Sequence, residues 1–302
     1  MRPASVVICS RDRPALLLDT VRSVLDGDAL PLELVIVDQS SVANAELAAL
    51  GEVRGCRVLY LLSSSHGLSR ARNIGIRAAS GEVVVMLDDD MLVEKDWLAT
   101  LLDGIPDGRH VVATGRVLAA PAEGVAGTIP SAALVERDEA AVYTGVQPAD
   151  VVPGANVAMP RELVLSIGGY DERLGAGTRF GAADDNDLGH RLLRAGAEVR
   201  HVPEAVVLHR AWREAGELRR LRWRYARGKG AFYAKHIAAG DRHIRGRLGR
   251  DVGRRLRRAA FELVRSPRRT AAELLSVAGI GCGALEWLAR EGLARRRGAG
   301  AR

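Results

Sequence analysis

The sequence has three cysteines in 302 residues, no dinucleotide-type glycine signature, no phosphate-loop lysine and few aromatic residues. Cys9, Cys56 and Cys282 sit in apolar contexts without metal-ligand spacing, which argues for a reducing, cytosolic setting. No Gly-x-Gly-x-x-Gly follows the first strand-like run, so a dinucleotide-binding Rossmann domain is disfavoured. No Gly-x-x-x-x-Gly-Lys-Ser/Thr occurs, which argues against a phosphate-loop NTPase. Aromatics make up only 4% of the chain, leaving few platforms on which nucleic-acid bases could stack. There are no internal repeats. The longest charge-free apolar run, Leu274 to Leu285, has twelve residues and falls short of the roughly 20 that a spanning helix needs. Met1-Arg2-Pro3-Ala4 leads directly into a strand-like run, with no signal peptide visible. The expectation is a soluble cytoplasmic protein, or one peripheral to the inner face of the cell membrane.

What is present is a 47% hydrophobic composition, enough for a full core, and a divided charge. Residues 211–302 hold 24 of the 44 Lys and Arg and 8 of the 37 Asp and Glu, a net of +16; residues 1–210 carry a net of −9. An acidic first part, 1–210, is thus joined to a basic, helical extension, 211–302. Such an extension suits an anionic partner, whether a membrane surface, nucleic acid or a phosphorylated substrate. The clustered carboxylates of the first part oppose nucleic acid, and none is expected as a partner.

The chain alternates strand-like and helix-like runs from Ala4 to about Leu102, which calls for a mostly parallel α/β sheet with right-handed crossovers. Val35-Ile36-Val37 ends on Asp38. Val83-Val84-Val85-Met86-Leu87 runs into Asp88, Asp89 and Asp90. A strand interior cannot hold three unpaired carboxylates, so they belong past its C-terminal end, the sheet edge where α/β folds bind ligands. Crowded carboxylates repel one another unless a cation joins them, and hard oxygen ligands favour Mg²⁺ or Mn²⁺.

Later features read less simply. The segment 119–148 has weak periodicity and reads as a mobile loop or insertion, and 174–183 as a flexible glycine-rich loop. Asp184, Asp185 and Asp187 open a helix, where acidic residues suit the dipole; one of them could also serve as a general base on an acceptor hydroxyl. Strands near 198–202 and 205–208 end on His209. From Trp212 onward the pattern is helical, with later helices near 244–264 and 270–293, and 295–302 reads as disordered.

Several segments together resemble family 2 glycosyltransferases of the GT-A fold. They are Val6 to Arg13, Val35 to Ser40, Gly67 to Gly75, Leu87 to Asp90, Gly168 to Glu172, Asp184 to Leu188 and Val202 to His209, in the family's order within residues 4–210. The resemblance implies metal-dependent, inverting transfer of a sugar from a nucleotide-sugar donor (UDP-, dTDP- or GDP-linked) to a hydroxyl acceptor. It places Asp38 on the nucleotide base, with Arg72, Ser10 and Arg11 nearby. Asp88 and Asp90 become the DxD pair, Asp88 towards the ribose and Asp90 on the metal, with Asp89 between them and His209 as a further ligand. Asp185 becomes the general base, beside Asp184; Asn156 and Trp212 fall on the acceptor side. Ala183-Asp184-Asp185 differs from the family's more usual Gly-Glu-Asp. The basic extension would suit docking on an anionic membrane and a lipid-linked acceptor in cell-envelope or polysaccharide assembly, with a small-molecule or protein acceptor as the alternative. A sugar nucleotidyltransferase would instead need a glycine-rich basic loop after the first strand, which Cys9-Ser10-Arg11-Asp12 is not.

Overall fold

A computed structural model describes residues 2–106, 110–121, 129–130, 134–210, 212–213 and 215–299. The first elements are β1 (Ala4–Ser10), α1 (Pro14–Leu25), β2 (Glu33–Asp38), α2 (Ala45–Ala48), β3 (Glu52–Val53), β4 (Cys56–Leu62), α3 (Leu68–Ala78), β5 (Val83–Asp88) and β6 (Met91–Val93). Then come α4 (Trp97–Asp103), β7 (Val111–Ala119), β8 (Ile129–Pro130), β9 (Ala141–Tyr143), β10 (Val157–Pro160), α5 (Arg161–Ser166) and α6 (Asp184–Arg194). The last are β11 (Glu198–His209), β12 (Trp212–Arg213), α7 (Ala215–Ala238), α8 (Arg242–Glu262) and α9 (Pro267–Ala299). The chain forms two compact units: 1–172 with 185–214, and 173–184 with 215–302.

The first unit is an α/β sheet in the order β3-β4-β2-β1-β5-β10-β7-β11-β6, with β9 added on β11. Its centre, β4-β2-β1-β5, is parallel, as alternating strands and helices require. Val6, Val7 and Ile8 in β1 and Val83, Val84 and Val85 in β5 are wholly buried; each contributes about 1.5–3 kcal/mol by leaving water. Helix α1 starts at Pro14, whose missing N–H costs nothing there, and packs Leu17, Val21 and Val24 on the core. Helix α3 lies close on β1: a methyl at Gly75 would sit 2.4 Å from Val7 Cγ1.

Met91–Val93, directly after the carboxylates, is a strand and pairs antiparallel with β11. Several sequence expectations are corrected. The two short strands expected near 198–208 are one, β11, whose register along β7 shifts between His201 and Val206, around Pro203, which has no N–H to donate. In the expected loop 119–148, Ala141–Tyr143 pairs with β11, and Ile129–Pro130 pairs with Trp212–Arg213, so the chain at Trp212 is extended, not helical. Residues 122–128 and 131–133 of that loop lie outside the described residues.

In the second unit, α7, α8 and α9 pack with residues 173–184. That glycine-rich segment, expected to be flexible, buries Leu174 and Phe180 with Trp287. Asp241 caps α8, its Oδ1 accepting from the Ile244 N–H at 3.1 Å. Helix α9 continues to Ala299, through much of the tail expected to be disordered; residues 300–302 are outside the described residues. Pro267–Gly292 is also long and apolar enough to cross a membrane by length and composition, with 28% of its most apolar 18-residue stretch buried. Within it, Glu273 and Glu286 bound the twelve-residue charge-free run.

Candidate active site

Strand register assembles the site. Ser10 at the end of β1 pairs with Asp38 at the end of β2, and Cys9 pairs with Asp88 at the end of β5. Three adjacent parallel strands therefore deliver Ser10, Asp38 and Asp88 to one carboxyl edge.

Asp89 is turned inward. Its Oδ2 accepts from Ser10 Oγ at 2.6 Å, its Oδ1 from Arg13 Nη1 at 3.1 Å, and its carbonyl from Thr20 Oγ1 at 2.9 Å. Burial pushes the Asp89 carboxyl up to about 6, against the pull of Ser10 and Arg13. Arg13 Nη1 also donates to Asp90 Oδ2 at 3.0 Å. Burial opposes the charge on this guanidinium, but Asp89 and Asp90 outweigh it and raise its pKa. Burial likewise raises Asp88, with Arg72 pulling the other way and Asp90 adding to the rise.

The antiparallel pairing of β6 with β11 sets His209 opposite Met91, the residue after the carboxylates. His209 Nε2 lies 3.2 Å from Asp90 Oδ1, and the Arg210 N–H donates to the Asp90 carbonyl at 2.9 Å. Asp38 is buried and committed: Oδ2 accepts from Tyr60 Oη at 2.7 Å and Oδ1 from the Ser40 N–H at 2.9 Å. The same contact, after burial, helps push the Tyr60 hydroxyl up to about 12.

Arg72 spans the site. Its Nη2 donates to Asp88 Oδ1 at 2.9 Å and to the Gly154 carbonyl at 2.8 Å, while its guanidinium lies 5.1 Å from the Tyr170 ring centroid. The next residue, Asn73, holds the segment that supplies that ring: its Nδ2 donates to the Tyr170 carbonyl at 2.9 Å and its Oδ1 accepts from the Tyr170 N–H at 2.8 Å. A methyl on Gly154 would lie 3.7 Å from Arg72 Nη2 and 3.8 Å from Asp185 Oδ2. The half-buried Asp185 carboxylate thus sits across one glycine from the Arg72–Asp88 pair.

Two sequence candidates, Arg11 and Asn156, stand apart from this cluster. Arg11 is half-exposed and pairs with its neighbour Asp12 at 3.3 Å. Asn156, expected on the acceptor side, is wholly buried: its Oδ1 accepts from Trp97 Nε1 at 2.7 Å, and its Nδ2 donates to the carbonyls of Arg116 at 2.7 Å and Ala205 at 2.8 Å. It holds the sheet together: both N–H groups of its amide are spent on backbone carbonyls, and the whole side chain is buried. The Trp212 side chain lies outside the described residues. Asp184 is buried at the first turn of α6, and Asp187 bonds Arg191 Nε at 2.8 Å along the same helix, a structural pairing. Arg13 and Tyr60 were not among the sequence candidates. Arg13 closes the segment Val6 to Arg13, but its charge gives no hint that it turns onto the carboxylates rather than into solvent.

The profile of glycosyl transferase family 2 matches residues 5–157, which hold Ser10, Asp38, Arg72 and Asp88 to Asp90. The chain belongs to this family. A second profile, glycosyl transferase family group 2, matches residues 83–280. Among relatives of the chain, a glucosyl-dolichyl phosphate glucuronosyltransferase of Haloferax volcanii is 32% identical over 180 residues, 57% of this chain and 56% of the relative. The match thus spans little more than half of that relative's length. Among solved structures, a mannosyltransferase from Pyrobaculum calidifontis in complex with GDP-Man and Mn2+ shares the fold at a TM-score of 0.59 and 17% identity, over 94% of this chain and 87% of that one. GalNAc-T7, solved with UDP, GalNAc and Mn2+, does so at 0.56 and 21% identity, over 78% and 51%. These likenesses establish the GT-A fold for this family 2 chain.

Proposed function

We propose that this family 2 chain is a divalent-metal-dependent, inverting glycosyltransferase that moves a sugar from a nucleotide-sugar to a hydroxyl of a lipid-linked, cell-envelope glycan acceptor at the cytoplasmic face of the membrane. The observation that carries the reading is the convergence of Asp38, Asp88 and Asp90 at one sheet edge, with His209 Nε2 3.2 Å from Asp90 Oδ1. The lipid-linked acceptor is suggested by the dolichyl phosphate in the name of the Haloferax volcanii relative.

The donor set suits Mn²⁺ or Mg²⁺: two carboxylates and an imidazole, two of them close enough to share one cation. Asp90 and His209 would hold the ion, with Asp88 beside it and towards the ribose. Such an ion supplies Lewis-acid neutralisation of the leaving diphosphate. Asp38, Ser10 and Arg72 line the nucleotide side. Asp185, across Gly154, acts as the general base: it takes the acceptor hydroxyl proton as the oxygen attacks the anomeric carbon on the face opposite the diphosphate, inverting that centre.

The test is incubation with UDP-, dTDP- and GDP-sugars, a divalent cation and a polyprenyl-phosphate glycolipid acceptor, followed by mass spectrometry of the lipid. A product heavier by one sugar, with the anomeric configuration inverted by proton NMR of the purified lipid, supports the reading; donor binding without transfer to any lipid-linked acceptor contradicts the acceptor class.

A further inference from the structure

We infer that the second unit carries a membrane-docking face, in which the outer side of α9 and the α8–α9 turn enter the interface of an anionic bilayer while arginines engage lipid phosphates. The inference rests on the reading of a lipid-linked acceptor and locates the surface that would serve it.

Two exposed apolar features carry it. Along α9, Leu274, Ala278, Cys282, Leu285 and Leu288 recur at helical spacing and all face outward, with Leu285 71% exposed. From Leu274 to Leu288 that stripe is about 21 Å long. At the near end, the turn between α8 and α9 presents Phe261, Leu263 and Val264 at 64%, 63% and 92% exposure. Adjacent large apolar side chains this exposed mark an interaction surface, not ordinary scatter.

The charge pattern selects the partner. The carboxylates of α8 and α9 are matched within the unit: Asp251 by Arg254 and Arg255, Glu262 by Arg269, Glu273 by Arg255, Glu286 by Arg227, and Glu291 by Arg173. Arg222, Arg257, Arg258 and Arg268 have no carboxylate partner among the described residues. They line a cavity of about 890 Å³ that Phe261 also borders. Arg265 lies with its guanidinium 4.2 Å from the Phe261 ring centroid, a cation beside an inserting aromatic. Apolar side chains beside unmatched arginines fit an anionic lipid surface, where the arginines add attraction that falls with salt.

Two other occupants fit less well. A second copy would bring the same arginines towards each other in an isologous contact. Spanning is opposed by α7, onto which α9 is locked: a methyl at Gly283 would lie 2.0 Å from the Arg227 carbonyl, and one at Gly279 2.6 Å from Ala226 Cβ. Helix α7 carries Arg219, Arg220, Arg222 and Arg224 and cannot follow α9 into hydrocarbon.

The cysteines supply the probe, because Cys282 is exposed on the stripe while Cys9 and Cys56 are buried. The full chain, labelled at Cys282 with an environment-sensitive maleimide dye, is titrated with phosphatidylglycerol/phosphatidylcholine vesicles and with phosphatidylcholine alone. The expected result is a blue shift with the anionic vesicles only, weakened by salt. Replacing Arg257, Arg258 and Arg268 by Gln should weaken partitioning roughly 100-fold, at about 1 kcal/mol per arginine, with an unchanged melting temperature. Leu285→Ser should weaken it in the same direction. Equal response to neutral vesicles, no response to either, a response to inorganic phosphate alone, or a lipid-independent dimer that shields the dye would each overturn the inference. Nucleoside-diphosphate binding to the same labelled protein tests the catalytic reading separately: its failure with vesicle binding intact removes that reading and leaves the docking face.

Discussion

His209 Nε2 lies 3.2 Å from Asp90 Oδ1, although one residue ends β11 and the other follows β5. The short strand β6, starting at Met91, closes this gap by pairing with β11, so the carboxylates and the imidazole meet because the chain makes a strand directly after Asp90. Arg13 approaches the same cluster from the start of α1 and bridges Asp89 and Asp90.

Without Arg13, two largely buried carboxylates lose a hydrogen-bonded cation. We expect Arg13→Met to lose about 1–3 kcal/mol of stability in metal-free buffer. Added Mn²⁺ should restore part of it by supplying positive charge at the same place. Urea unfolding with and without MnCl₂ checks this, and an unchanged midpoint in metal-free buffer would show that Arg13 is dispensable to the cluster.

Asp185 lies across Gly154 from the Arg72–Asp88 pair, and as the proposed general base its removal should separate chemistry from donor binding. Asp185→Asn is expected to lower kcat by about 10²–10⁴-fold while nucleoside-diphosphate affinity stays within twofold or so. A comparable loss of donor affinity would mean that the residue works on the donor side instead.

Asn156 is read as scaffold. Asn156→Ala leaves Trp97 Nε1 and two backbone carbonyls without their partners, and the expected cost is about 1–3 kcal/mol. If it is scaffold, the KM for acceptor should hold at temperatures where the variant is folded. A raised acceptor KM in a stably folded variant would return Asn156 to the acceptor side.

Glu33 contributes a pH-dependent part of the stability. Burial opposes its ionisation, but hydrogen bonds from Arg57, Ser80 and Ser5 outweigh burial and hold the carboxyl down at about 2, below the ordinary 4.5. A value depressed in the folded state means stability fully present above about pH 4.5 and lost as pH falls towards 2. Glu33→Gln should be less stable than the parent at pH 7, with the gap narrowing between pH 4.5 and 2. A pH-independent gap would place the effect elsewhere.

The central strands, and the edge to which they carry Asp38 and Asp88, could be read from the sequence because strand ends carry their own labels. Apolar runs stopping at Asp38 and at Asp88 fix both the element and the edge it reaches. What could not be read was long-range. Nothing local distinguishes Met91-Leu92-Val93 as a strand, since its partner arrives with β11 far down the chain. Arg13 and Arg11 look equivalent in sequence, yet the first turns onto Asp89 and Asp90 and the second pairs with Asp12 at the surface. The burial of Asn156 could not be read either: an amide holding Trp97 and two carbonyls looks, after Pro153-Gly154-Ala155, like one facing a ligand. The α9 stripe was hidden for a similar reason, since Glu273 and Glu286 interrupt the run but are matched by Arg255 and Arg227.

The central claim is that Asp90 and its neighbours hold a nucleotide through a divalent cation. Its most direct test is the melting temperature of the parent and of Asp90→Ala against UDP, dTDP and GDP, each with and without Mn²⁺ or Mg²⁺. The account predicts a rise with one nucleotide that requires the metal and vanishes in the variant. A rise that persists without metal or in Asp90→Ala, or no rise with any nucleotide, would contradict it.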